Sequence, residues 1–336
     1  MKNFYKIMFL IPLMLSTLIV TSSYNLYSAW MGLEINLLSI IPLMYSKNNI
    51  LSAESSIKYF IVQASASAIF LASIIMSSSK SMMNPMIMEN TNMMIMISAV
   101  LTKMGMAPFH FWMPEIIEGQ TWMNTLIILT WQKIAPMAIL IMTSMNIIIM
   151  QAIAISAMIF SSIPSMNQTM IKKILVFSSI NHMGWMLPPM IMENNVWMMY
   201  FVIYSMMTTI VMLLFKNLKI HNLSQLINMK MSNSSKFMFS MSFFSLSGLP
   251  PFIGFLPKWF TIQVLIEKNM LMTTFVMIMM TLLMIYIYMR MTFTLLIIEQ
   301  NKFNWEKEKK INLFSSSTMN FSMMTSLMIL TMMLNL

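Results

Sequence analysis

The sequence has no cysteine, no aspartate, one arginine (Arg290) and only six glycines among 336 residues. Each shortage excludes something. Without thiols the chain forms no disulfide, holds no iron–sulfur cluster on thiolates and builds no thiolate zinc site. So few glycines leave no Gly-rich loop to cradle a phosphate. Charge is scarce as well: 9% of residues carry it, where a soluble domain carries about a quarter. A water-facing surface cannot be covered with so little. The three histidines, His110, His182 and His221, are scattered and make no haem or metal constellation.

What is present is apolar length. Hydrophobic residues make up 58% of the chain, and the apolar runs are each long enough to cross roughly 30 Å of hydrocarbon. Backbone groups in lipid must bond internally, so a span is a helix or a closed barrel strand. Barrel strands alternate apolar and polar residues over about ten positions, and these runs do not alternate. The sequence therefore predicts an all-α polytopic transmembrane bundle. Eleven spans fall near 4–21, 25–44, 56–78, 91–112, 122–143, 146–163, 170–190, 195–215, 236–266, 270–298 and 314–335. Lys2 and Lys6 precede the first run as in a signal peptide, but no small-residue cleavage site follows cleanly, so a retained first helix is expected. The 51 methionines read as interchange with Leu and Ile on lipid-facing and core surfaces, where Met packs adaptably.

Lysine placement predicts orientation. With alternating helices, one side collects Lys2, Lys6, Lys47, Lys58, Lys172, Lys173, Lys216, Lys219, Lys230, Lys236, Lys302, Lys307, Lys309 and Lys310, and the other only Lys80 and Lys268. That asymmetry is a positive-inside signal, with the N-terminus on the positive side and the C-terminus opposite. It accounts for the net charge of +10 without invoking nucleic acid as a partner. Lys172 and Lys173 read as topology charges, and His110, Glu115 and Glu118 as solvated groups near an interface.

Two stretches repeat. Gly105, Pro108, Phe109 and Pro114 in GMAPFHFWMP match Gly248, Pro251, Phe252 and Pro257 in GLPPFIGFLP at a constant offset of 143 residues. Proline inside a helix removes a backbone bond and breaks or kinks it. Breaks at matching positions in two halves suggest the paired discontinuous helices of a transporter. The breaks fall in the fourth and ninth spans. Five is an odd separation, so the copies would have opposite topology. The expected organisation is one transmembrane domain: a first inverted repeat over about 1–143, a second over about 144–298, and a loop with a final helix over about 299–336. Bending for packing alone is the competing reading.

Five ionisable residues fall inside spans: Glu34 in WMGLEIN, Lys103 just before the first break, Lys133 in WQKIAPM, His182 in SSINHMGW and Lys258 just after the second break. A charge at mid-bilayer costs about 2.5–3.5 kcal/mol on insertion scales, and such residues face a partner or water. None lies near enough to a span end for snorkelling to explain it. Burial pushes lysine and glutamate toward their neutral forms and pairing pushes them back, which is what a proton relay needs. Glu34 with Lys103 would form a switch, Lys133 would pass the proton along the mid-plane, Lys258 would exchange it with the opposite side, and His182 would bridge through water. A lone histidine is more often a hydrogen-bonded packing residue, so that reading of His182 stays open.

At these residues the chain resembles a known family. LTKMGMAPFHFWMPE, LTWQKIAPM, SSINHMGW and LSGLPPFIGFLPKW together are similar to the NADH dehydrogenase subunit 2 family of animal mitochondria, antiporter-like subunits of respiratory complex I. The resemblance spans nearly the whole chain, and the methionine excess fits an animal mitochondrial genome of arthropod type. It implies an antiporter-like fold with two broken helices in the proton-translocating part of that complex. Glu34 matches the glutamate of the first half-channel, Lys103 the lysine of the first broken helix, Lys133 the central lysine, Lys258 the lysine of the second broken helix, and His182 the histidine of the HMGW motif. It implies no cofactor in this chain, with NADH, FMN, iron–sulfur clusters and ubiquinone held by other subunits. The implied partners are those subunits, above all neighbouring antiporter-like ones, and the lipid bilayer, cardiolipin included. The implied place is the mitochondrial inner membrane, with the N-terminus on the matrix side and the C-terminus on the intermembrane-space side. Two other readings remain: a cation/proton antiporter subunit without redox coupling, and a membrane scaffold whose charges only fix helix packing.

Overall fold

The structure is a computed structural model and describes residues 2–46, 49–78, 85–143, 145–228 and 233–297. Helices dominate these residues, and the only β-feature among them is an isolated bridge between Met170 and Asn222. Seven helical stretches are long and apolar enough to cross a membrane. Ten of the eleven predicted spans fall on helical residues. The eleventh, 314–335, lies outside the described residues, as do the loop 299–310, Lys47, Lys80 and Lys230.

Contacts divide the chain between Met150 and Gln151. The first unit contains α1 (Lys2–Ser22), α2 (Leu26–Met44), α3 (Ile50–Ser78), α4 (Pro85–Met104), α5 (Trp112–Gly119), α6 (Trp122–Leu129) and α7 (Trp131–Met142). From α1 to α4 sequential neighbours pack together, α5 rests on α3, and α7 closes onto α1, α2, α4 and α6. The serines of α3 live in an apolar helix because their hydroxyls bond back to carbonyls one turn earlier: Ser55 to Ser52, Ser67 to Ala64 and Ser73 to Phe70.

The boundary falls early in α8 (Ile147–Ser165). Beyond it lie α9 (Ile171–Met192), α10 (Asn194–Leu218), α11 (Leu223–Asn228), α12 (Asn233–Ser247), α13 (Phe255–Glu267) and α14 (Leu271–Ile297). The axis of this unit is α9, buried on every face from Ile171 to Met190. It packs against α10, α13 and α14. A helix covered all round belongs to the interior of a bundle, so its polar side chains face protein rather than lipid.

The expected breaks are present: α4 stops at Met104 and a separate helix, α5, starts at Trp112, while α12 stops at Ser247 and α13 starts at Phe255. Two features depart from the sequence expectation. The fifth span is not continuous: Thr130, at φ −115° and ψ −70°, separates α6 from α7. Pro136, inside α7, has no N–H to give and crowds the carbonyl one turn earlier, which favours an interruption on its N-terminal side. Lys172, read as a topology charge, is buried at the start of α9.

Candidate functional site

The site begins with backbone. At the end of α4, the Gly105 N–H bonds to the Thr102 carbonyl at 3.1 Å and the Met106 N–H to the Leu101 carbonyl at 3.0 Å. At the end of α12, the Gly248 N–H bonds to the Ser245 carbonyl at 3.2 Å and the Leu249 N–H to the Phe244 carbonyl at 3.4 Å. Each pair is a Schellman cap, which needs a left-handed residue just past the helix. Gly105 and Gly248 supply it, with φ +66° and +75°. The match continues: Phe109 N–H to Met106 and Met113 N–H to His110 in the first break correspond to Phe252 N–H to Leu249 and Leu256 N–H to Ile253 in the second. Every one of these bonds recurs 143 positions later, the offset of the sequence repeat.

Lys103 sits in the last turn of α4, only 7% exposed. It lines a cavity with Leu33, Asn36, Leu37, Tyr59, Gln63, Gln132 and Pro136 that leaves about 10 Å³ for water centres, close to what one water molecule needs. The amides around it are ordered. The Gln132 side chain donates to the Asn36 oxygen at 2.9 Å, and the Gln63 side chain donates to the Lys103 carbonyl at 3.2 Å. The Trp112 indole N–H donates to the Thr102 carbonyl at 3.1 Å. The buried end of α4 is thus capped by neutral donors, while Lys103 lines a small polar hollow.

Glu34, half-buried on α2, is the carboxylate whose field reaches Lys103. The two make no direct ion pair among the described residues; the pairs in contact join Lys58 to Glu54 at 2.9 Å and to Glu115 at 3.5 Å on an exposed face. Lys133, 1% exposed in the first turn of α7, follows Gln132. One strand of sequence therefore supplies both an amide of the Lys103 cavity and the next buried lysine.

Lys258 is held differently. It is 8% exposed in the first turn of α13, and its ammonium reaches back across the break to donate to the Ser247 carbonyl at 2.7 Å. That carbonyl ends α12, where the helix dipole is negative and favours a cation. A Cβ at Gly248 would lie 3.0 Å from the Lys258 Nζ and 3.1 Å from its Cδ, so the glycine that makes the turn also makes room for the lysine.

His182 lies on buried α9, 3% exposed. Its Nδ1 is 3.0 Å from the Tyr200 hydroxyl, and its ring centre is 5.2 Å from that of Tyr204. Asn181 donates to the Ser161 hydroxyl at 3.3 Å. His110, expected near solvent, is instead buried within the first break. His221 lies outside the spanning helices, exposed between α10 and α11, and its carbonyl accepts from the Ile171 N–H beside Lys172 at 3.1 Å. Partial desolvation holds its imidazole below the ordinary value of 6.5, and the Lys172 charge adds to the effect.

Sequence reasoning identified Glu34, the three lysines and His182, and the structure places all four basic side chains in the interior. Glu34, Lys103 and Lys133 fall in the first unit; His182 and Lys258 fall in the second. It missed Asn36, Gln63, Gln132 and Tyr200. The amides carry no charge and Tyr200 stays neutral, so a search for switchable charges inside the spans passes over them.

Interrupted helices with lysines at the breaks, in an all-helical membrane bundle, define an antiporter-type transport subunit. A family model described as NADH:quinone oxidoreductase/Mrp antiporter, TM, matches residues 23–284. The NADH-ubiquinone oxidoreductase chain 2 of Aedes aegypti is 42% identical over 98% of both chains, and that of Anopheles gambiae is 41% identical over 93% of this chain and 92% of its own. The chain belongs to the NADH-ubiquinone oxidoreductase chain 2 family. The fold is shared more widely. A chain of respiratory complex I from Thermus thermophilus superposes with a TM-score of 0.81 at 18% identity, covering 94% of this chain and 76% of its own. A chain of the Mrp complex from Dietzia superposes at 0.80 with 12% identity, covering 97% and 75%.

Proposed function

We propose that this chain is a membrane-arm subunit of proton-translocating NADH:ubiquinone oxidoreductase in the mitochondrial inner membrane, and that Glu34, Lys103, Lys133, His182 and Lys258 carry the protons. The observation that carries the reading is the burial of three lysines in helices, two of them at matched breaks. Evicting an ammonium from water needs a reason, and transport through a switchable charge supplies one.

In this reading Glu34 and Lys103 form the switch. A water in the amide-lined cavity carries a proton to and from the ammonium. Asn36, Gln63 and Gln132 do not titrate; they orient that water and exclude others. Lys133 takes the proton onward along the bilayer mid-plane. Lys258, tied to the Ser247 carbonyl, holds a charge at a helix end and releases it when that bond is exchanged for water. The two halves act as inverted repeats, about 1–143 and 144–298, with the N-terminus in the matrix and the C-terminus in the intermembrane space. The lysine asymmetry along the sequence supports that orientation. Flavin, iron–sulfur clusters and the quinone site belong to partner subunits, with neighbouring antiporter-like subunits and cardiolipin along the flanks.

The test is isolation of the complex in mild detergent, with mass spectrometry and an NADH:quinone activity assay. The proposal expects an active multi-subunit particle containing flavin and iron–sulfur subunits. A small particle without NADH activity that exchanges Na⁺ or K⁺ for protons in liposomes would replace it with the redox-independent antiporter.

A further inference from the structure

Sequence alone left His182 between two roles, and the structure supplies what decides between them. The imidazole is buried between two tyrosines on successive turns of α10. Tyr200, fully buried, brings its hydroxyl to 3.0 Å from Nδ1. Tyr204, four residues on and thus on the same helix face, packs its ring against the imidazole at 5.2 Å. Ser179 lies beside Tyr204, and its own hydrogen goes to the Val176 carbonyl at 2.7 Å. Tyr204 confines the imidazole by packing, and Tyr200 meets it at Nδ1.

The chemistry of that partner matters. A neutral imidazole has one donor and one acceptor nitrogen, whereas the charged ring has two donors. A carbonyl at Nδ1 would accept only, and would pin a hydrogen there in every state. A hydroxyl donates and accepts from the same oxygen. By turning its O–H bond, Tyr200 can give its hydrogen to a bare Nδ1 and accept one from Nδ1–H, with no heavy atom moving. For packing alone a phenylalanine would fill the same space, and it would not bury a hydroxyl that then needs a partner.

We propose that Tyr200 is the positioning residue of His182: its hydroxyl stays bonded to Nδ1 in both protonation states, so His182 takes up and releases a proton without swinging out of its site. With the neutral ring's hydrogen on Nδ1, Tyr200 accepts it, and a proton gained at Nε2 makes the imidazolium with that bond still in place. Loss of the Nε2 proton returns the neutral ring. The tyrosine keeps its own hydrogen throughout. This role rests on the proton-carrying function proposed above.

The test uses the assembled complex and reads protons pumped per electron pair beside NADH oxidation. Tyr200→Phe keeps the ring and removes only the oxygen; it is expected to lower the proton ratio of assembled enzyme several-fold through this chain. In a His182→Asn background the same change is expected to add nothing, because Tyr200 acts through His182. An unchanged ratio in Tyr200→Phe, or an equal further loss when both are changed, overturns the proposal. If Tyr200→Phe does not assemble, His182→Asn decides, since an amide can bond to Tyr200 but cannot pass a proton; full pumping there overturns the proposal. Lys133→Met separates the two levels. Reduced pumping with Lys133→Met but normal pumping with Tyr200→Phe rejects the tyrosine alone, and normal pumping with both rejects the parent function.

Discussion

At the first break, the last carbonyls of α4 are met by neutral donors, Gln63 and the Trp112 indole, and the Lys103 ammonium is free to face a polar hollow. At the second, the carbonyl that ends α12 takes the Lys258 ammonium itself. The two turns share their capping bonds and the turn bonds that follow, 143 positions apart. What differs is whether the charge is part of the cap. A lysine beside water can exchange its protons with that water. A lysine bonded to a helix-end carbonyl has one favoured position and a dipole holding it there. Matched backbone thus supports two kinds of site: one suited to exchange, the other to retention.

The largest effect is expected where retention and capping coincide. Lys258→Met removes both the transferable proton and the Ser247 bond, so proton transfer through this chain should slow by about 10²-fold or more. Thermal stability of the assembled subunit should fall as well. Lys103→Met should slow transfer comparably while leaving the α4 cap intact, because neutral groups hold it. Equal loss of stability in the two variants would erase the distinction between the breaks.

Next come the amides. Gln132→Leu leaves the buried Asn36 without its donor, at a cost of about 1–3 kcal/mol, and dries the Lys103 cavity. Reduced pumping together with a lowered melting temperature is expected. Lower stability with full pumping would confine the amides to packing.

The glycines sharpen the comparison further. Alanine at Gly105 or Gly248 must adopt a left-handed conformation, costing about 1–2 kcal/mol. At Gly105 the new methyl meets Met113 and Trp112; at Gly248 it meets the Gly254 carbonyl and Lys258. Stability should fall in both variants, but only Gly248→Ala should also lower the proton ratio.

The smallest effect belongs to His221. Its folded value lies below 6.5, so the folded state disfavours the charged ring. Its contribution to stability is fully present above pH 6.5 and is lost as pH falls through the lowered value. His221→Gln should change stability by less than about 0.5 kcal/mol at pH 7.5 and flatten the acid side of a melting-temperature profile. A large shift at pH 7.5 would give His221 a role that its setting does not.

Charges and prolines made the outline legible in sequence. Lys103, Lys133 and Lys258 are conspicuous because hydrocarbon penalises an ammonium, and the paired breaks because proline cannot donate in a helix. Other features left weaker traces. The α6–α7 interruption sits at Thr130, an ordinary residue, ahead of a proline that lies inside α7. Asn36, Gln63 and Gln132 come together from distant parts of the chain, and tertiary packing alone makes them one cavity. Burial of Lys172 and His110 follows from the enclosure of α9 and of the first break, which no local pattern announces. Tyr200 looked like any aromatic in an apolar run until its hydroxyl was found against His182.

The most direct test of the account is the proton-to-electron ratio of the assembled complex carrying Lys103→Ala, measured in sealed vesicles with NADH. The account predicts intact assembly with a reduced ratio, because the α4 cap does not depend on the ammonium and the relay does. A full ratio in assembled enzyme would contradict the relay and leave the buried lysines as elements of packing.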